Sequence, residues 1–235
     1  MNEGIFKEGF LEMSTSPLQQ AAESSLWGDC ISNRVLAVLS ILAFFLLFAD
    51  FLRMIPSLMD CLGRYRANIT LEHSVSKARS RNYIAMVVLV PFCLIVDKTE
   101  MFRPSFRECI PEFWSIFVTI GFISAYFILR TVLYLLVRPK GFNSEELVAV
   151  RHSLYNYFIL ASVSLIISLL LMFVFKVGPG AVRNVLSLEL LLVCLIAFIR
   201  IGQFFGSHCK GFSTFLYLCA LEFLPLGILI FVSTR

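Results

Sequence analysis

Five polar residues sit inside stretches that are otherwise apolar: Arg130, Glu189, Arg200, Gln203 and Glu222. In a chain with this hydropathy such residues are costly, and ionisable groups at membrane depth face the interior of a helix bundle, where they pair or bind. Arg200 and Glu222 flank a six-residue turn at 207–212. At about 1.5 Å per helical residue, Arg130 lies roughly 12 Å inside the end of its segment, Arg200 about 10 Å and Glu222 about 14 Å. Three segments thus bring charge to nearly one level. The simplest expectation is that the turn folds Glu222 back beside Arg200 and each neutralises the other.

Helical spacing groups further residues with them. Glu189, Val193, Ile196 and Arg200 recur at i, i+4, i+7 and i+11, which places Glu189 on one stripe with Arg200, with Gln203 close by. Thr119, Tyr126, Arg130 and Tyr134 form a second stripe. Tyr157, Ala161, Ser164 and Ser168 form a third, on which Ser164 and Ser168 give a small-xxx-small packing face. The expectation is that these stripes meet in one charged cluster.

That cluster is uneven, with two arginines against Glu222, unless Glu189 or Asp50 reaches in. Asp50 pairs more simply with Arg53 at the interface. A spare arginine can hold a carboxylate or phosphate, because its planar fork matches both. The competing readings are a structural ion pair with one arginine snorkelling to headgroups, and a proton or ion pathway.

The elements that position these residues follow from composition. The chain has 235 residues, 58% of them hydrophobic and 15% charged, and a mean hydropathy of +0.83. Long, repeated apolar runs at this composition imply an all-α, polytopic transmembrane bundle. Residues 1–34 read as a polar tail, with Phe6, Phe10 and Met13 at the spacing of a short surface helix. Residues 35–235 read as the membrane domain. Segments 35–52, 113–137, 154–177, 184–206 and 213–232 have the length of spans. Segment 83–96 is shorter and contains Pro91, and is expected to make the sixth, with a re-entrant segment as the alternative. Trp27 and Trp114 stand near the starts of apolar runs, where interfacial aromatics belong.

Lysines and arginines in the connections tally ten against eight, decided by the loop 53–82, which places that loop in the cytoplasm and both termini opposite. The formal charge of +4 is modest, and no basic block with interleaved aromatics points to nucleic acid.

Catalytic and metal chemistry find little support. His73, His152 and His208 lack the close spacing and acids of a metal site and read as solvated residues. Seven cysteines show no CxxC; Cys93, Cys194 and Cys219 read as small hydrophobes, and Cys30 and Cys109 as two thiols or one disulfide. The NIT sequon at Asn68–Thr70 reads as chance. No GxSxG, HExxH or phosphate-cradling glycine loop is present, and no cofactor is implied.

The motifs RIGQFF, at 200–205, and FLYLCALEFLPL, at 215–226, resemble a bacterial family of multi-pass inner-membrane proteins, domain-of-unknown-function family 4271. The resemblance covers roughly the last forty residues. It implies an inner-membrane location and importance for Arg200, Glu222 and Pro225, with no catalytic role. The expected function is a non-enzymatic scaffold or accessory part of an envelope complex, with lipids and membrane proteins as partners. The alternatives are a small anion-binding permease using Arg130, Arg200 and Glu222, and an intramembrane lipid-modifying enzyme with Glu222 as acid or base.

Overall fold

A computed structural model describes residues 30–64, 66–101, 111–137, 144–208 and 211–234. These form α1 (Ile31–Gly63), α2 (Ala67–His73), α3 (Val75–Lys98), α4 (Glu112–Leu136), α5 (Ser144–Val174), α6 (Pro179–His208) and α7 (Gly211–Leu218). A π-helical turn, Cys219–Phe223, then leads into α8 (Leu224–Thr234). Among the described residues there is no strand. The suggested surface helix at 5–13, Trp27 and Cys109 lie outside the described residues.

Helices α1, α3, α4, α5 and α6 are each long and apolar enough to cross a bilayer, and a shorter apolar helix covers Thr214–Ile228. The protein is therefore a multi-pass membrane helical bundle. Its outer surface carries large apolar side chains such as Leu46, Phe173, Leu192 and Ile199, all more than half exposed. Hydrocarbon is the solvent that makes such a surface favourable.

The loop expected at 53–82 is largely helical. α1 runs on past Arg53 to Gly63, with Pro56 inside it, and α3 starts at Val75, eight residues before the apolar segment expected from 83. α3 thereby gains the length of a span. It is also the most enclosed of the five, with 56% of its apolar window buried against 11–28% for the others. It packs against α1, α4 and α5. A helix surrounded by protein does not need a wholly apolar perimeter, which is why its hydropathy of 1.5 falls below the 2.0–2.7 of the rest.

Three apolar clusters fill the bundle. One joins Phe51, Met54 and Leu58 of α1 to Ile84 and Val88 of α3. A second joins Phe92 and Val96 to Ile116, Leu165 and Leu186. The third joins Tyr134, Val150, Phe204, Phe205 and Leu221 and seats the last hairpin. That hairpin closes by stacking: Phe198 on Phe223 with centroids 4.9 Å apart, and Phe205 on Tyr217 at 6.1 Å. Between these pairs, the position a Cβ on Gly202 would take is 4.0 Å from Leu218 Cδ2. Trp114 stacks edgewise among Phe113 and Phe117 at the start of α4, 55% exposed, as an interfacial anchor does.

Candidate functional site

The charges are built in from the local sequence. Pro225 has no N–H, so it cannot donate to the helix ladder of the turn before it. The adjacent Leu224 N–H reaches back five residues to the Cys219 carbonyl, and the helix widens into a π turn there. A π turn carries an extra residue per turn, so the faces before and after it do not continue one another. Glu222 lies inside this turn, and the turn packs against α4.

Glu222 is consequently bound to Arg130, not to Arg200. Arg130 Nη2 donates to Glu222 Oε1 at 2.6 Å, and Nε donates to Oε2 at 3.0 Å and Oε1 at 3.2 Å. Tyr134, one turn along α4, donates its hydroxyl to Oε1 at 2.6 Å. The remaining side of Arg130 is used too: Nη1 donates to the backbone carbonyl of Arg151 on α5 at 2.7 Å. The guanidinium carbon lies 4.7 Å from the centre of the Tyr134 ring. Arg130 is 2% exposed, Tyr134 1% and Glu222 0%. Two opposite charges in low dielectric are stable only with this quality of geometry and with their remaining donors and acceptors satisfied. Tyr126, from the same stripe of α4, is half-buried and sets its ring edgewise to Phe127.

The expected Arg200–Glu222 pair is therefore replaced. Depth along a helix does not fix the direction a side chain points, and the π turn alters that direction just where Glu222 sits. Arg200 is half-buried and donates Nη1 to Gln203 Oε1 at 2.9 Å, one turn along α6. Beside it is a small, partly open recess lined by Asn68, Val150, Ser153, Tyr157, Arg200, Ile201 and Phe204. Tyr157 is buried there and donates its hydroxyl to the Cys61 carbonyl at 3.3 Å. Asn68, in the sequon, is only 6% exposed and accepts from Asn156 Nδ2 at 2.7 Å, a position closed to glycosylation.

Glu189 makes a third, separate site. It accepts a hydrogen bond from Ser164 across the α5–α6 contact. The single cluster expected from the stripes is thus three: Arg130, Tyr134 and Glu222; Arg200 and Gln203 with Tyr157; Ser164 and Glu189. Asp50 lies 3.9 Å from Arg53, both well exposed, as expected.

A further polar cluster escaped sequence reasoning. Glu72 of α2 accepts from Arg81 Nη1 at 2.6 Å and faces His152 Nδ1 at 2.9 Å. Arg81 also holds Asn82 Oδ1 through Nε and Nη2, and His152 stacks on Tyr155. Arg81 is 1% exposed, not solvated loop charge, and His152 is not a free interfacial histidine. The missed signal was Glu72 itself, an acid in the basic loop 53–82 that helical continuation folds inward. Burial raises the Glu72 pKa, but hydrogen bonds from His152 and Arg81 and the Arg81 charge outweigh it, leaving the carboxyl at about 2.

Among the described residues no three histidine, cysteine or acidic side chains are grouped to hold a metal. No family model, no curated protein and no solved structure matches this chain.

Proposed function

We propose that this chain is a non-enzymatic membrane component that holds other proteins together in a bacterial inner-membrane complex. The observation carrying this reading is the saturation of its best chemical candidates. Glu222 is fully enclosed, and both of its oxygens are taken by Arg130 and Tyr134. An acid or base must reach the proton it moves, and a carrier needs a wetted path to its charges. Neither requirement is met by a carboxylate at 0% exposure. The pair instead ties α4 to the last hairpin, a structural role.

The basic face between α1 and α3, with Arg53, Arg64, Lys77 and Arg79, supports a cytoplasmic surface for anionic lipid or an acidic partner. Six spans, both termini outside and membership of domain-of-unknown-function family 4271 belong to the same proposal. The last rests on RIGQFF and FLYLCALEFLPL.

The test replaces the pair by apolar residues, Arg130→Met with Glu222→Met, and compares the variant with wild type in two assays. In native membranes, crosslinking followed by mild-detergent purification should recover the same neighbouring proteins in the same proportions from both. In proteoliposomes, wild type should show no anion or proton flux above empty vesicles. Flux through wild type that the folded variant lacks would replace this reading with the permease.

A further inference from the structure

Arg200 is left by the bundle in a different condition from Arg130. It makes no ion pair among the described residues, and Gln203 occupies one of its N–H groups. A guanidinium has five donors, so four remain. The carboxylate nearest in depth, Glu222, is consumed by Arg130, and Glu72 is consumed by Arg81 and His152. No acidic residue lines the recess at Arg200.

Its position is set by the change in character of the α6 surface. From Leu188 to Ile199 the exposed residues are apolar, among them Leu192, Leu195 and Ile199. Beyond it the exposed residues are Gln203, Gly206 and Ser207. Arg200 stands at this boundary, the depth at which hydrocarbon gives way to headgroups. Arg200 also lines a small recess whose other polar residues, Asn68, Ser153 and Tyr157, come from α2 and α5. The Ser153 and Tyr157 hydroxyls donate to the Val150 and Cys61 carbonyls, so the donors at the mouth are those of Arg200 and the Gln203 amide.

We infer that Arg200, with Gln203, binds a phosphate oxyanion at the mouth of this recess. The tetrahedral anion presents two oxygens to the guanidinium fork and a third to the Gln203 side-chain amide N–H. The positive charge left over at this end of the bundle is matched by the ligand and not by the chain. The phosphate belongs either to a lipid headgroup or to free inorganic phosphate, and one experiment separates the two.

The protein is purified in a neutral detergent and stripped of lipid, and its thermal midpoint is titrated in two arms. The first uses inorganic phosphate against chloride at equal ionic strength. The second uses short-chain phosphatidylglycerol against diacylglycerol of the same chain length. A rise in the first arm alone assigns a soluble anion, and a rise in the second alone a headgroup; a rise in both assigns a site open to either. In every case Arg200→Gln should shift half-saturation by at least about tenfold. Arg200→Lys should weaken binding less, and Arg183→Gln, an exposed charge at the start of α6, should leave it unchanged. The proposal is overturned by no response beyond the controls in either arm, by an undiminished response in Arg200→Gln, or by an equal loss in Arg183→Gln, which would mean general surface charge.

Discussion

Arg130 and Arg200 carry the same group on different helices, yet their surroundings are opposite. Arg130 is 2% exposed and spends every nitrogen on Glu222 and the Arg151 carbonyl. Arg200 is half-buried with one glutamine for company. The difference teaches that intramembrane charge by itself does not identify a working site. What matters is whether the protein has already satisfied the charge. A satisfied arginine is architecture; an unsatisfied one at the headgroup boundary is available.

The sharpest way to break this contrast is to remove one member of the satisfied pair. Arg130→Leu or Glu222→Leu alone should cost about 3–5 kcal/mol, because the partner is left charged and buried. The Arg130→Leu/Glu222→Leu double variant should be much closer to wild type. Thermal unfolding in detergent reads this, and an Arg200→Leu/Glu222→Leu cycle should by contrast be additive to within about 0.5 kcal/mol. Strong coupling in the second cycle and none in the first would reverse the assignment of partners.

A smaller loss is expected from Tyr134→Phe. It strips the hydroxyl donor from Glu222 Oε1 while keeping the ring beside Arg130, and should cost about 1–3 kcal/mol. No measurable change would mean that the hydroxyl bond at 2.6 Å is not part of the lock.

Acid tests the second satisfied cluster. The folded-state pKa of Glu72 is depressed from 4.5 to about 2. Its contribution is therefore full above pH 4.5 and is lost as pH falls from 4.5 towards 2. Wild type should exceed Glu72→Gln in thermal midpoint at neutral pH, and the gap should close across that window. A gap independent of pH would point to packing and not charge.

Arg200→Gln should move lipid-free stability least, by within about 0.5 kcal/mol, since no buried partner is stranded. A cost as large as that of Arg130→Leu would erase the contrast.

Much of the fold could be read directly from residue order. Apolar runs located the long helices, and the GPG turn at 178–180 separated α5 from α6 as expected. Segment 83–96 was legible as a span only in outline, because a helix enclosed by protein can be short of apolar residues and still cross. The site was half legible. Arg130, Tyr134 and Glu222 were all visible as membrane polar residues, but their mutual pairing depends on a π turn set by Pro225, and regular 3.6-residue spacing cannot anticipate an irregular turn. Glu72, Arg81 and His152 were hidden for a different reason. His152 is 80 residues from Glu72, and charge in a segment counted as a basic loop looks solvated until the helices on either side extend and enclose it.

The 92 residues between Arg130 and Glu222 also set a timetable for biosynthesis. At about 5–20 residues per second, ribosomes deliver Glu222 some 5–18 seconds after Arg130 has emerged. The Arg151 carbonyl, 21 residues on, arrives within roughly 1–4 seconds and can supply only a neutral acceptor. During that interval the arginine on α4 must keep to the membrane surface or to water, and α4 cannot settle to its final depth. The last hairpin brings the anion that releases it. Arrival of this hairpin and closure of the Arg130 site are therefore one event, and a product truncated before Glu222 would carry its own chemical mark of being unfinished.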